Sequence, residues 1–446
     1  MAKKNKDQKE NSDLELKTII GNQITNGLGY LGGQLSDQRR KSLEYYLGDK
    51  LGTEIDGRSQ VVSTDVSDTI ESLLPNLLRV FTASDNVVRC EPMTAEDVPM
   101  ADQATAYLNH VFYKENNGFQ LLYNFFKDAL IEKNGFLKIY WDDSEKVDYE
   151  TYENLSPVEK EALQDTKDEI EIVDEEVFED EDAKEQFEAT LAQYEAQGMD
   201  VSQIQVPNFN LYNCKIKRIK KTGKVKIESV PPEEFLIERN AKTIDDADFV
   251  AHKVLMTRSD LVSMGYSQDE VDELPKSDLD IYNNEEIVRM RDIDEYNVST
   301  PTDSSTEKVL IYECYIKYDY DGDGIAELRK VVAAGSDGSH ILSNMPCDNI
   351  PFVTVTPIPM PHRFYGRSIS ELVEDVQLMK STVMRQLLDN MYLTNNNRVA
   401  IMDGMVNMDD LLTTRPGGIV RTKQPPNQVL QPLQAQPISQ QAFPLL

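Results

Sequence analysis

Histidine and cysteine are scarce in this 446-residue chain, with four of each. Cys90, Cys214, Cys314 and Cys347 are scattered. They show neither metal-ligand spacing nor a pairing pattern, which excludes a zinc ribbon and a disulfide framework. A reduced, intracellular chain is the simplest reading. His110, His252, His340 and His362 are dispersed, and no two stand at the spacing of a zinc helix. No run of about 18 uncharged apolar residues occurs, so the sequence offers no membrane span. The polar opening MAKKNKDQKENSD is not followed by the apolar core of a signal peptide. A nucleophile elbow, a Walker loop and a dinucleotide fingerprint are all missing. Basic charge is also short: 46 Lys and Arg stand against 78 Asp and Glu, a net charge of −32. A protein that grips DNA phosphates needs a basic surface. One that surrounds nucleic acid without adhering to it does not.

What is present is ordinary globular material, 40% hydrophobic and 28% charged, in a chain long enough for two or three domains. Residues 1–13 read as a disordered arm. Leu14–Leu47 reads as mostly helical around a loose, glycine-rich GLGYLGG. Val66, Ile70, Leu73, Leu74, Leu77 and Leu78 recur at three and four, which predicts a helix kinked by Pro75. Two aromatic-rich helices follow, broken at Asn116–Gly118, and then GFLKIYWDD as a strand.

Residues 142–200 hold 23 acidic residues against 4 lysines. This acidic insertion carries more than half of the excess charge. It reads either as a solvated block or as a surface that meets a partner or repels DNA. Within it, Ser156, Pro157 and Glu159 open a helix as a capping box. Residues 214–230, with seven basic residues flanking Thr222–Gly223, predict a hairpin whose lysines form a wet strand face that protects an edge, touch phosphate or dock on the acidic insertion. The polar stretch Asn283–Glu307 reads as a loop.

DYDGDGIAE, Asp319–Glu327, stands between two β-like flanks. Position 12 from Asp319 is Lys330 rather than the bidentate Glu of an EF-hand. A nine-position strand–loop–strand site remains open. In it Asp319, Asp321 and Asp323 offer side-chain oxygens, Ile325 a backbone carbonyl and Glu327 the closing carboxylate. Oxygen ligands of this kind suit a structural Ca²⁺ or Mg²⁺. The alternative is a plain turn that uses Asp and Gly for their backbone geometry. A metal-dependent hydrolase or nuclease using this cluster, or a calcium-stabilised binding module, are further readings of the same residues.

The cleanest helix follows. Ser368 and Glu371 form a capping box, and Ile369, Leu372, Val373, Val376, Met379, Val383, Leu387 and Met391 lie on one stripe. About 25 residues, Ile369–Leu393, make a rod of roughly 37 Å. RVAIMDG and GGIVRTK then read as two short strands.

The stretches RRKSLEYYLGD, GRSQVVSTDVSDTIESLLPNLLRVFTASDNVVRCEP, KDALIEKNGFLKIYW, VPPEEFLI, YDGDGIAE and HRFYGRSISELVEDVQLMKSTVMRQLLDNMY, taken in order, resemble portal proteins of tailed bacteriophages, the larger kind of short-tailed phages. The resemblance implies an α+β portal-type subunit: a mixed wing over 14–360, a stem helix within 361–396 and a small clip over 397–424. Residues 425–446 would begin a return segment, with the crown expected beyond the end of this sequence. It implies no enzyme and no required cofactor, but a homo-oligomeric, dodecameric ring at a capsid vertex in the virion, assembled in the host cytoplasm. Double-stranded DNA would pass through the ring during packaging and ejection. Expected partners are the terminase large subunit, a tail adaptor or head-completion protein, and capsid and scaffolding proteins, with no membrane. Arg398, Met402, Asp403, Met405, Asp409 and Asp410 are the expected docking residues of the clip. An acidic ring would keep DNA from sticking during translocation.

Overall fold

The computed structural model describes residues 2–84, 86–143, 145–164, 169–196, 208–221, 223–276, 284–290, 303–396, 398–413 and 415–433. In chain order the elements are α1 Ala2–Tyr30, α2 Ser36–Leu47, α3 Asp65–Thr82, α4 Val98–His110, α5 Gly118–Glu132, β1 Gly135–Asp142, β2 Glu145–Leu155, α6 Pro157–Gln164, β3 Glu169–Glu179 and α7 Glu181–Ala196. There follow β4 Asn210–Lys221, β5 Lys224–Val230, β6 Phe235–Ile237, β7 Phe249–Thr257, α8 Arg258–Ser263, α9 Gln268–Asp272 and α10 Asn284–Met290. The rest are β8 Lys308–Tyr318, β9 Glu327–Ala334, β10 His340–Pro346, β11 Phe352–Val355, α11 Ile369–Asn395, β12 Arg398–Ile401, α12 Met408–Leu412, α13 Pro426–Val429 and β13 Leu430–Leu433. The mixture of helices and antiparallel sheets is the expected α+β class. The chain divides into two compact units, one of residues 1–138 with 227–446 and one of residues 139–226.

The larger unit is organised by an antiparallel sheet of order β10-β9-β8-β7-β6. Strand alternation sorts its side chains. On one face Phe249, Ala251, Leu310, Tyr312, Cys314, Ile316, Val331 and Ala333 pack against Leu16, Ile20 and Ile24 of α1. On the other face Val250 and Tyr315 join Phe136, Phe235, Phe352 and Phe364. Burial on both faces explains why β8 reads as a nearly continuous apolar run. The rings of Phe136 and Phe235 stack at 4.1 Å between centroids. Phe136 belongs to β1, the central strand of a second sheet, β11-β1-β5. Gly135 starts that strand because a Cβ there would sit 2.1 Å from the carbonyl oxygen of Phe125.

Polar groups interrupt the second face, Glu313 and, opposite it, the buried His252. Glu313, opposite the apolar side of β8, pairs with Lys138 of β1 and, at 2.7 Å, with Lys330 of β9, and accepts a 2.6 Å hydrogen bond from the Tyr315 hydroxyl. Burial alone would raise its pKa, but the two ammonium groups overcome this and hold it down at about 2.

A third core is helical. Val66, Ile70, Leu74 and Leu78 of α3 meet Leu121, Leu122, Phe125 and Phe126 of α5 and Leu43 and Tyr45 of α2. The expected kink residue, Pro75, lies inside α3 as anticipated.

The smaller unit is a sheet of order β2-β4-β3 with α6 and α7. Here the hairpin expected over 214–230 is corrected. β4 is the central strand of this sheet, and β5 pairs with β1 instead. The reason is charge. Strands β2 and β3 are acid-rich, and β4 carries the matching cations: Arg218 lies 3.0 Å from Glu150 and Lys217 lies 3.1 Å from Glu171. Oppositely charged neighbours across strands favour this pairing, whereas like charges opposed would not. The acidic insertion therefore extends beyond residue 200 and takes the basic strand with it. The capping box at its first helix is present, with the Ser156 N–H donating to Glu159 and the Glu159 N–H to Ser156 Oγ.

Three further expectations are revised. The arm expected over 1–13 is helical from Ala2, a segment with four lysines and neither Gly nor Pro. The loop expected over Asn283–Glu307 contains α10, while residues 291–302 lie outside the described residues. GGIVRTK is not a strand. β12 pairs with β13, and only an isolated bridge joins Thr422 to Val406. Of the return segment expected over 425–446, residues 434–446 lie outside the described residues.

Candidate functional site

The loop Asp319–Glu327 joins β8 to β9, which pair in register from Tyr318↔Glu327 onward. Its aspartates first serve the loop's own backbone. Asp319 accepts from the N–H groups of Gly322 (2.7 Å), Asp323 (3.1 Å) and Gly324 (2.8 Å). Asp321 accepts from Asp323 (3.1 Å), and Asp323 from Ile325 (2.7 Å). Gly322 and Gly324 take φ of 81° and 88°, which side-chain-bearing residues rarely adopt. Carboxylate oxygens of Asp319, Asp321 and Asp323 nonetheless lie within 4.8 Å of one another. So three of the five expected ligands converge. Glu327 is turned to Arg329 at 2.9 Å, and Ile325 is exposed. Arg329 also stacks over Tyr320 at 4.1 Å and donates to Asn344. Among the described hydrogen bonds Asp321 and Asp323 each use a single oxygen, so the donor set fits a hard cation with part of its capacity already spent on N–H groups.

The expected docking residues lie on a small substructure beyond α11. Arg398, Met402, Asp403 and Asp409 are exposed, and Met405 is half-buried. Asp410 is bound internally: Arg421 reaches both its oxygens, at 2.7 and 3.1 Å, which lowers its pKa. The Met405 carbonyl accepts from the Lys423 N–H, and the Met402 N–H donates to Val429. These bonds fold residues 398–433 into one knot. Sequence reading missed its exposed apolar residues, Leu412 at 73% and Ile419 at 82% exposure, because the apolar pairs Leu411–Leu412 and Ile419–Val420 are too short to show a period.

The long helix α11 carries the most informative arrangement. Its residues buried against the rest of the unit are polar: Ser370, Gln377, Ser381 and Arg385. Gln377 ties together two helix ends. Its Oε1 accepts from the Val66 N–H in the first turn of α3 (2.8 Å), and its Nε2 donates to the Tyr45 carbonyl in the last turn of α2 (2.9 Å). Both are groups that a helix cannot satisfy by itself. Ser381 Oγ accepts from the Ser63 N–H (2.9 Å), and Asp389 from the Ser59 N–H (2.7 Å). Arg385 donates to the Val61 carbonyl (2.8 Å) and to Thr53 (2.9 Å), and pairs with Glu54. The edges are ion pairs, Lys41–Glu374 at 3.0 Å, Lys133–Glu371 at 2.9 Å and Lys380–Asp65 at 2.7 Å.

The apolar stripe points elsewhere. Ile369 and Val373 pack with the helical core. Leu372, Val376, Met379 and Met391 are 46–62% exposed. The spacing that located the stripe was sound, yet the face that seats the helix is the polar one. Its signal was present as Ser370, Gln377, Ser381 and Arg385 at steps of seven, four and four.

No helix among the described residues is long and apolar enough to cross a membrane. A family model described as the phage SU10 portal protein matches residues 16–446, nearly the whole chain. That match spans both units and α11 and agrees with the mixed α+β architecture. The chain thus belongs to the phage SU10 portal protein family, a structural rather than catalytic family of ring-forming proteins at the phage head vertex.

Proposed function

We propose that copies of this chain pack side by side into a dodecameric ring at one capsid vertex, through which double-stranded DNA is packaged and later ejected. The observation that carries this is the division of α11 into a hydrogen-bonded polar face turned to its own subunit and an exposed apolar stripe, Leu372, Val376 and Met379. An apolar stripe of this length is the kind of surface a neighbouring copy covers. In this reading residues 14–360 form the wing, α11 the stem and residues 397–424 the clip, with a return segment from 425. The exposed Arg398, Met402, Asp403 and Asp409, with Leu412 and Ile419, would face the terminase large subunit and afterwards a tail adaptor. Capsid and scaffolding proteins would meet the wing. The net charge of −32 favours a channel that DNA does not adhere to.

The same reading makes the 319–327 loop structural. Its carboxylates turn in toward their own backbone, and a Ca²⁺ or Mg²⁺ there would pin a hairpin. Electron microscopy of the purified protein tests the ring: closed particles with a central hole are expected. Val376→Glu with Met379→Glu should abolish them while leaving the fold of the subunit intact. A persistent monomer with magnesium-dependent nuclease activity would overturn the reading in favour of the hydrolase.

A further inference from the structure

The short helix α10 is held in place by charge. It packs on α2, and its buried Glu285 and its Arg289, 32% exposed, meet Arg39 of α2, Asp128 (16% exposed) and Glu132 of α5, and Glu233 of the turn before β6. Arg289 Nη2 lies 2.7 Å from Glu132 and 3.1 Å from Glu233, and its Nη1 lies 3.4 Å from Asp128. Arg39 Nη1 lies 3.9 Å from Glu285, and the same guanidinium donates to the carbonyls of Glu132 (3.3 Å) and Pro232 (3.0 Å). Carboxylate oxygens of Glu132, Glu233 and Glu285 come within 4.8 Å of one another. The side chains of these three and of Arg39 are at most 4% exposed. Lys127 of α5, a further charged neighbour of Asp128, is engaged by Glu71 at 3.1 Å and by the rings of Tyr46 and Tyr123.

Among the described residues, four carboxylates therefore face two guanidiniums. With all groups ionised, two negative charges would stand uncompensated in a low-dielectric interior, which does not tolerate them. Glu132 Oε2 and Glu285 Oε2 have no hydrogen-bond donor among the described residues. A cavity of about 400 Å³, walled in part by Lys127, Asp128, Glu132 and Arg289, adjoins the cluster and gives protons a route.

We propose that the docking of α10 is proton-linked: the cluster takes up protons as α10 seats against α2 and α5, and α10 loosens as those protons leave. Burial is the dominant influence on Glu132, Glu285 and Asp128, and the arginines only partly oppose it. Glu132 is pushed well above the usual carboxylate range, Glu285 up to about 7 and Asp128 up to about 6. Undocked, Glu285 returns toward 4.5. A raised carboxyl pKa in the docked state means that docking is strongest below 4.5. It weakens about tenfold per pH unit for each linked proton up to about 7, and then levels off.

Hydrogen exchange of the peptide covering 284–290, corrected for intrinsic rates, tests this on the whole protein. Protection at pH 8 should fall at least tenfold below that at pH 5. Glu285→Gln on α10 and Glu132→Gln on α5, which remove a titrating group from either side, should each flatten that dependence. Equal protection at the two pH values in the unaltered protein would overturn the proposal, even if both variants failed to fold. So would a full pH dependence retained in either glutamine variant. Restoration of protection at pH 8 by Mg²⁺ or Ca²⁺, reversed by EDTA, would also overturn it, because a cation rather than protons would then balance the cluster.

Discussion

Replacing Gln377 by Leu tests whether α11 is seated by directional hydrogen bonds or by generic burial. The side chain is fully buried, so Leu matches it in size and the change is chemical. The Val66 N–H would lose its acceptor, at a cost of about 1–3 kcal/mol for a buried unsatisfied donor. The Tyr45 carbonyl would keep the Gly48 N–H at 3.2 Å, so only about 1 kcal/mol is lost there. Leu recovers part of this, about 1 kcal/mol, by burying apolar surface. The net expectation is a loss of about 2 kcal/mol. For the larger unit of roughly 360 residues, an unfolding entropy of about 0.75 kcal/mol/K turns this into a Tm lower by about 3 °C. The assay is thermal and urea unfolding of dissociated subunits at one fixed concentration, since assembly itself would raise Tm. Val376→Gln, on the exposed stripe of the same helix, is the control and should change subunit stability by no more than about 0.5 kcal/mol. A Gln377→Leu protein as stable as the original, or more so, would refute the argument, because it would mean that the buried face accepts any side chain of the right size.

Glu313→Gln should destabilise the larger unit by about 3 kcal/mol, because it removes the buried charge that pairs with both Lys138 and Lys330. The depressed pKa of Glu313 adds stability that is present above about 4.5 and lost as pH falls toward 2. The variant should therefore show a shallower loss of stability over that acid range, read from urea midpoints at successive pH values. For the 319–327 loop, millimolar Ca²⁺ should raise Tm and EDTA reverse it. Asp321→Ala should remove the response at little other cost, since Asp321 accepts only one of the loop's backbone bonds whereas Asp319 accepts three. No calcium response in the unaltered protein would leave the loop as an aspartate-closed turn.

The sequence disclosed what is decided locally. Ser368 with Glu371 and Ser156 with Glu159 announced their helices because a capping box is four consecutive residues. The α3 stripe was readable from its period, and the strands on either side of Asp319 from short β-rich apolar runs. Strand β4 was not, because its partners lie far back in the chain and Thr222–Gly223 supplies a nearby turn signal that competes with them. α10 was hidden for a related reason. NEEIVRM is too short and polar to be helical by itself, and its anchors, Asp128, Glu132 and Glu233, sit far away in the sequence. The seating of α11 was half legible: the apolar positions marked the helix, but only the fold shows that its Ser, Gln and Arg positions face inward.

The placement of β1 and β5 has a practical side. The chain leaves the larger unit after Lys138 and re-enters it at Ile227, on two strands that are hydrogen-bonded neighbours. Neighbouring strands lie only about 4.8 Å apart, so the host could be closed there by a short turn. Residues 139–226 are in that sense a cassette: excising them, or exchanging them for a label or another small domain, would ask little of the cores on which the host depends.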